Sequence, residues 1–375
     1  MKWDMIVIGA GIIGLATAER LLMQGAKVMI LERNKVGQES SWAGGGILSP
    51  LYPWDYSDDV TQLTSYSANQ FPAWVSALQE ATGMDPEYET SGMLILPPYD
   101  EKTAQQWCST RGIKIELRVV SKIDSIENIS ETYRGKTHDH ALFLPDIAQV
   151  RNPRLLQALH KRILQLGGSI KENCPVHHFK TAHRKILSIT SFCGEFDADN
   201  YIICAGAWSE ELLGTQTIKL NIKPIKGQML LFKFDTPPLH TILVQNGLYI
   251  IPRRDGHLLI GSTLEDVGFN KQTTVFAREY LLTRAQAILP LLHKKPIIQH
   301  WAGLRPASLN NLPTIGKHPM IDNLFFNCGH FRYGLTMAPA SAEILVNEIT
   351  CAPQPFDITP YQAERNVNNS QSSSR

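Results

Sequence analysis

The first apolar run, Met5–Ile8, is continuous, as expected of a strand buried on both faces. From Ile12 to Gln24 the spacing becomes helical, with Ile12, Leu15, Ala16, Leu22 and Met23 on the buried side and Gly25 as the stop. Val28–Leu31 predicts a second short strand that ends at Glu32. Residues 55–80 carry helical spacing again, through Val60, Leu63, Tyr66, Phe71, Trp74 and Leu78. From about 85 to 142 the pattern is strand-like, clearest at Gly92–Pro97 and Ala141–Pro145. A helix is then predicted with Asn152 as N-cap, Pro153 in its first turn and Leu155, Leu156, Leu159, Ile163 and Leu166 on one face, closed by Gly167 and Gly168. Tyr201–Ser209 reads as a buried strand ending in small residues. Residues 215–300 alternate like antiparallel strands, and 323–349 read as strand, glycine-bearing turn and helix.

This order separates strand-and-helix elements near the N-terminus, near 150–210 and near 300–350 by two strand-rich segments. The expected fold class is α/β, a Rossmann-type domain plus an antiparallel-sheet domain. The first domain is discontinuous (1–84, 143–214 and 301–365). The second takes 85–142 and 215–300, and 366–375 form a polar, disordered tail. A chain of 375 residues exceeds what one hydrophobic core usually serves, which also favours two domains.

Composition narrows the function classes. Lys plus Arg number 36 against 35 Asp plus Glu, a balance that argues against nucleic acid or an anionic membrane as main partner. No apolar stretch approaches the roughly 18 residues needed to span a bilayer, and the N-terminus lacks the features of a signal peptide. Cys108, Cys174, Cys193, Cys204, Cys328 and Cys351 show no C-x-x-C or zinc spacing and read as reduced thiols of a cytoplasmic protein. His138-Asp139-His140 and His177-His178 have no third ligand at usual spacing, so no metal is expected.

The chemistry enters at Gly9-x-Gly11-x-x-Gly14. Gly9 permits the tight turn, Gly11 lets a pyrophosphate reach the backbone, and Gly14 lets helix and strand pack closely. The helix start presents free N–H groups to the phosphates. Glu32 lies where an acid accepts bonds from ribose hydroxyls. An NAD domain would continue with alternating strands and helices; this chain instead runs into Ser40–Pro50, small residues with three consecutive glycines, Gly44-Gly45-Gly46. A cofactor clasped by such distant segments must be long, which favours FAD.

Taken together, these stretches resemble the D-amino acid oxidase family of flavoenzymes over about residues 1–350. The resemblance is carried by Gly9–Gly14, Glu32, Ser41–Gly45, Ala205–Ser209, Trp301–Pro306 and Gly329–Gly334. Within the family the chain is most similar to the glycine-oxidising branch, which supplies an imine for the thiazole ring of thiamine; 41–51, 247–253 and 329–340 carry that narrower match. One departure is Asn310-Asn311, where many relatives have Asp.

The resemblance implies a glutathione-reductase-like FAD domain and a set of contacts. Ala10, Ile12, Ile13 and Arg33 join the first glycines and Glu32. Ser40, Ser41, Ala43, Gly44, Gly45, Gly46 and Ile47 lie along the flavin. Val176 meets adenine through its backbone, near Ala205, Gly206 and Trp208. His330, Phe331, Arg332, Tyr333, Gly334, Leu335 and Thr336 form the turn and helix start at the flavin's pyrimidine edge. No cysteine is placed for a covalent link, Cys328 reading as a strand end, so FAD is expected to be noncovalent. Arg305 would hold the substrate carboxylate as a two-pronged fork, Tyr249 would touch the same carboxylate, and Arg332 would help to orient substrate or flavin. The implied substrates are glycine, sarcosine and D-alanine, with molecular oxygen as acceptor and a homo-oligomer, a tetramer by resemblance. The alternatives are a flavin D-amino acid dehydrogenase or a sarcosine-type amine oxidase using another substrate or acceptor.

Overall fold

The computed structural model describes residues 2–120, 140–213 and 218–365. A six-stranded sheet runs in the order Thr314–Lys317, Leu324–Cys328, Ala198–Ile203, Trp3–Ile8, Val28–Leu31, Ser169–Lys171. All neighbours are parallel except the antiparallel edge strand Thr314–Lys317. The continuous apolar runs follow from burial on both faces. Val7, Ile30 and Ile202 point into a core made by helices Ile12–Met23, Asp58–Thr82, Asn152–Gln165 and Gly334–Thr350. Their neighbours Ile6, Met29 and Tyr201 point to the other face, against Phe179, Ile186 and Ile189 of a three-stranded sheet spanning Val176–Ala182, Lys185–Ser191 and Gly194–Phe196.

The second large sheet has eight strands, ordered Gln299–Ala307, Lys223–Lys233, His257–Gly261, Leu248–Pro252, Ile242–Gln245, Met93–Ile95, His140–Leu144, Glu116–Val119. It is antiparallel except where Ile242–Gln245 meets Met93–Ile95. Helix Val275–Ile288 covers one face, burying Leu281, Ala285 and Ile288 against Leu230, Ile250 and Ile260. Because Gln299–Ala307 runs in this sheet, the boundary drawn at 301 falls inside a strand.

Several local expectations are corrected. Helix Glu101–Thr110 lies in the segment read as strands; it buries only Ala104 and Cys108, too few for a visible period, and is capped by Asp100, whose side chain accepts from Thr103 N. Helix Val275–Ile288 lies in the second such segment, and its exposed Val275 and Phe276 blur the apolar stripe. Asn152 is the first helical residue rather than the cap; its amide donates to Ser41 O at 2.8 Å. Met23 is the last residue of its helix and is exposed. Asn310 and Asn311 both adopt positive φ, a conformation that Asn tolerates. His138, Asp139 and the tail 366–375 lie outside the described residues.

Candidate active site

One cavity of about 1180 Å³ runs between the two large sheets. It exceeds the roughly 300–1,000 Å³ of ordinary small-molecule sites, so it has room for a long cofactor and a small substrate.

Its first wall is the glycine turn. Gly9 has φ +108°, and a Cβ there would lie 2.5 Å from Cys204 O. Gly11 faces the cavity, where a Cβ would approach only Ser41 Oγ, at 3.1 Å. Gly14 serves packing: a Cβ would run into the Gly9 carbonyl oxygen. The buried Glu32 carboxylate accepts from Ala10 N at 2.8 Å and Asn34 N at 2.9 Å, and burial raises its pKa. It thus fixes the turn as well as facing the cavity. Ser41 Oγ accepts from Ile12 N at 2.9 Å, tying the small-residue loop to the first helix.

That loop is wedged between the sheets. A Cβ on Gly45 would lie 2.6 Å from Ile251 Cδ1 and 3.2 Å from Tyr249 Cε2, and one on Gly303 2.6 Å from Ala43 Cβ. Trp301 Nε1 donates to Ala43 O at 3.1 Å. The buried Arg253 donates to Gly45 O, Val150 O and Gln149 Oε1. Burial holds its pKa down to about 10.

Tyr249 and Arg305 share a second wall. Gly261 lets the tyrosine ring close in, since a Cβ there would be 2.5 Å from Tyr249 Cε2. Gly227 does the same for Arg305: a Cβ would strike its guanidinium. Arg305 donates to Ser262 Oγ at 2.5 Å and Thr263 O at 3.2 Å. Burial lowers its pKa, while the nearby Tyr249 acts the other way and Arg332 adds to the lowering. The wall thus concentrates positive charge. Arg332 is exposed and reaches the same cavity.

At the end of the strand Leu324–Cys328 the chain turns through His330–Tyr333 into helix Gly334–Thr350, whose first residues face the cavity. Free N–H groups of such a helix start favour negative charge. His330 is buried, lies 3.0 Å from Ser341 Oγ through Nε2, and has its pKa pushed down to about 3 by burial. Burial raises the Tyr333 phenol pKa.

Comparison with known proteins adds what the geometry alone leaves open. A family model described as FAD dependent oxidoreductase (DAO) matches residues 4–348. The chain belongs to that family.

This FAD-dependent oxidoreductase is 40% identical over 370 residues to glycine oxidase of Pseudomonas putida, covering 97% of this chain and 99% of the relative. It is 31% identical over 358 residues to the bifunctional protein ThiO/ThiG of Trichormus variabilis, covering 93% of this chain but 53% of that protein. Among solved structures, glycine oxidase from Geobacillus kaustophilus superposes with a TM-score of 0.89 at 25% identity, covering 96% and 98% of the two chains.

Tyr249, Arg305, Arg332 and nearly all the sequence-derived cofactor residues line this cavity. They include Ile12, Ile13, Arg33, Ser40, Gly44, Gly46, Val176, Ala205, Gly206, Phe331 and Leu335. Ala10, Gly14 and Thr336 sit behind the wall: Ala10 N binds Glu32, and Thr336 Oγ1 donates to Ile47 O at 3.2 Å. Sequence reading missed Ser262 and Thr263, which hold Arg305, and Glu39 and Phe269 on the rim. Their roles depend on contacts with residues tens of positions away. The available signals were Gly227, which lines the cavity, and Gly261, which lies against the Tyr249 ring; both read simply as strand glycines.

Proposed function

We propose that this enzyme binds FAD noncovalently and oxidises glycine: glycine, oxygen and water give glyoxylate, ammonia and hydrogen peroxide. The observation that carries the reading is Arg305, a guanidinium fixed by Ser262 and Thr263 beside Tyr249 on the wall facing the cofactor loops. The full-length similarity to glycine oxidase of Pseudomonas putida supports the substrate, and that to a bifunctional ThiO/ThiG supports a role in thiamine thiazole synthesis.

The cavity fits the cofactor. It has a bare glycine backbone at Gly11, an acid at Glu32, a channel of small residues from Ala43 to Ile47, and a helix start at Gly334. When bound, FAD supplies the hydride acceptor. The protein supplies orientation: Arg305 grips the substrate carboxylate as a two-pronged, charge-assisted partner. Tyr249 adds a hydroxyl to the same carboxylate, and Arg332 adds positive charge at the open side. The start of helix Gly334–Thr350 stabilises negative charge on the ring. The reactive substrate is the neutral amine, whose lone pair is free to form the imine, and no side-chain base is assigned.

We further infer a cytoplasmic homo-oligomer. The six cysteines, all free thiols, suit a reducing compartment; the oligomer rests on the family resemblance. The reading is tested by an amine panel with peroxide detection. Glycine, sarcosine and D-alanine should give peroxide under air, in preference to bulkier amino acids. A reduced artificial acceptor without peroxide would favour a dehydrogenase instead.

A further inference from the structure

Between the second sheet and helix Val275–Ile288 the chain makes an excursion over the cavity's rim. Its base is fixed. The Glu265 carboxylate accepts from Thr263 Oγ1 at 2.5 Å and Gln228 Nε2 at 2.8 Å, and pairs with Lys226 at 3.0 Å. Lys226, buried, also donates to Gln272 O at 3.1 Å, and Thr274 N donates to Gln228 Oε1 at 2.9 Å. Both feet of the excursion are therefore tied to strand Lys223–Lys233.

The tip is held differently. It turns at Gly268, which has φ +58° and open space around it. Phe269 then stacks on Trp208, with ring centres 5.5 Å apart and planes 27° apart. Trp208 also carries the Arg33 guanidinium 3.5 Å from its ring centre. Two residues on, Lys271 Nζ reaches both oxygens of Glu39, at 3.1 and 2.9 Å. Arg33 and Glu39 themselves pair at 3.1 Å. Arg33, Glu39, Trp208 and Phe269 all line the cavity. Arg33 follows directly on Glu32 and Glu39 comes a few residues later, at the end where the ribose and adenine of a dinucleotide belong.

We propose that residues 266–271 are a latch over the cofactor end of the cavity, and that Phe269 on Trp208 and Lys271 on Glu39 set the rate at which FAD leaves. The proposal rests on the noncovalent-FAD reading. Its physical basis is the contrast between base and tip. Buried, multiply bonded groups anchor the feet, and partly exposed contacts close the tip: Phe269 is 44% exposed. An exposed ion pair is weak and screened by salt, and an aromatic contact adds a moderate amount. The tip can thus lift while the base, and with it the Thr263 contact to Arg305, stays in place.

The test follows release of FAD from the purified holoenzyme on dilution, by the rise in free-flavin fluorescence, at low and at molar salt. Wild-type release should accelerate with salt. Phe269→Ala should release FAD on the order of tenfold faster at low salt, and Lys271→Gln about threefold faster. Lys271→Gln should also lose most of the salt dependence, which a general structural defect would not remove. Lys294→Gln, which deletes the same charge at an exposed site on another segment, should behave as wild type. Equal release from all four proteins, or full salt dependence kept in Lys271→Gln, overturns the latch. Flavin that stays with acid-precipitated protein would instead overturn the noncovalent reading, and the latch with it.

Discussion

Arg305 reaches across 43 residues of sequence to place its Nη2 2.5 Å from Ser262 Oγ. The contact fixes a guanidinium that lines the cavity, and in the proposed reading it would hold a substrate carboxylate in one orientation. Ser262→Ala should therefore raise the Michaelis constant for glycine about tenfold, since a hydrogen bond to a charged group contributes about 1.5–3 kcal/mol. Arg305→Ala should cost more, about 2–5 kcal/mol in kcat/KM. Amines without a carboxylate should lose little in either variant. Steady-state kinetics on glycine and on a simple alkylamine check this; equal losses would assign Arg305 a structural role.

Gly11 and Gly14 separate ligand approach from packing. A Cβ on Gly11 meets only Ser41 Oγ, at 3.1 Å, whereas one on Gly14 strikes the Gly9 carbonyl oxygen. Gly11→Val should yield a folded, colourless protein that does not retain FAD. Gly14→Val should fail to fold stably. Circular dichroism and the flavin absorbance of the purified variants distinguish the two; a yellow Gly11→Val protein would remove the pyrophosphate from this turn.

Much of this arrangement was legible in the sequence, for definite reasons. The first βαβ unit declares itself because a strand buried on both faces is continuously apolar, and because backbone approach to a ligand or a neighbour forces glycine at fixed positions. Helices Glu101–Thr110 and Val275–Ile288 were not legible, since one buries two residues and the other opens with exposed Val275 and Phe276. The role of Asn152 was misread because its side chain serves a distant partner, Ser41 O, rather than its own helix. Ser262, Thr263 and Glu265 form no periodic pattern. Their meaning comes from Arg305, Lys226 and Gln228 on other strands, and only the folded sheet brings those together.

His330 predicts a pH signature of stability. Burial pushes its folded pKa down to about 3, against an ordinary value of 6.5. Between these values the unfolded chain binds a proton that the folded chain does not. Stability should therefore fall as pH drops from about 6.5 toward 3, with a slope of about 1.4 kcal/mol per pH unit from this residue. Denaturant unfolding between pH 7 and 5 measures the slope. His330→Gln, which can still bond Ser341, should flatten it by about one proton; an unchanged slope would show that other groups carry it.

Tyr249 predicts a division between binding and proton handling. Its hydroxyl lies 3.7 Å from Met229 Sδ, on the wall shared with Arg305, and its proposed role is to hold the carboxylate. The rate of flavin reduction divided by the substrate dissociation constant should rise with pH to a plateau, as the neutral amine becomes abundant. Tyr249→Phe should weaken binding about tenfold, within the range for a lost hydrogen bond to a charged group, and leave the rise in place. Loss of the pH dependence would make the tyrosine a base.

The central claim is that this cavity holds FAD and passes it a hydride from glycine. Anaerobic mixing of the purified protein with glycine, followed by flavin absorbance in a stopped-flow instrument, tests it most directly. The yellow band should bleach in a single turnover, with a rate that saturates in glycine, and should return with peroxide on admitting air. A flavin that stays oxidised with saturating glycine would contradict the account.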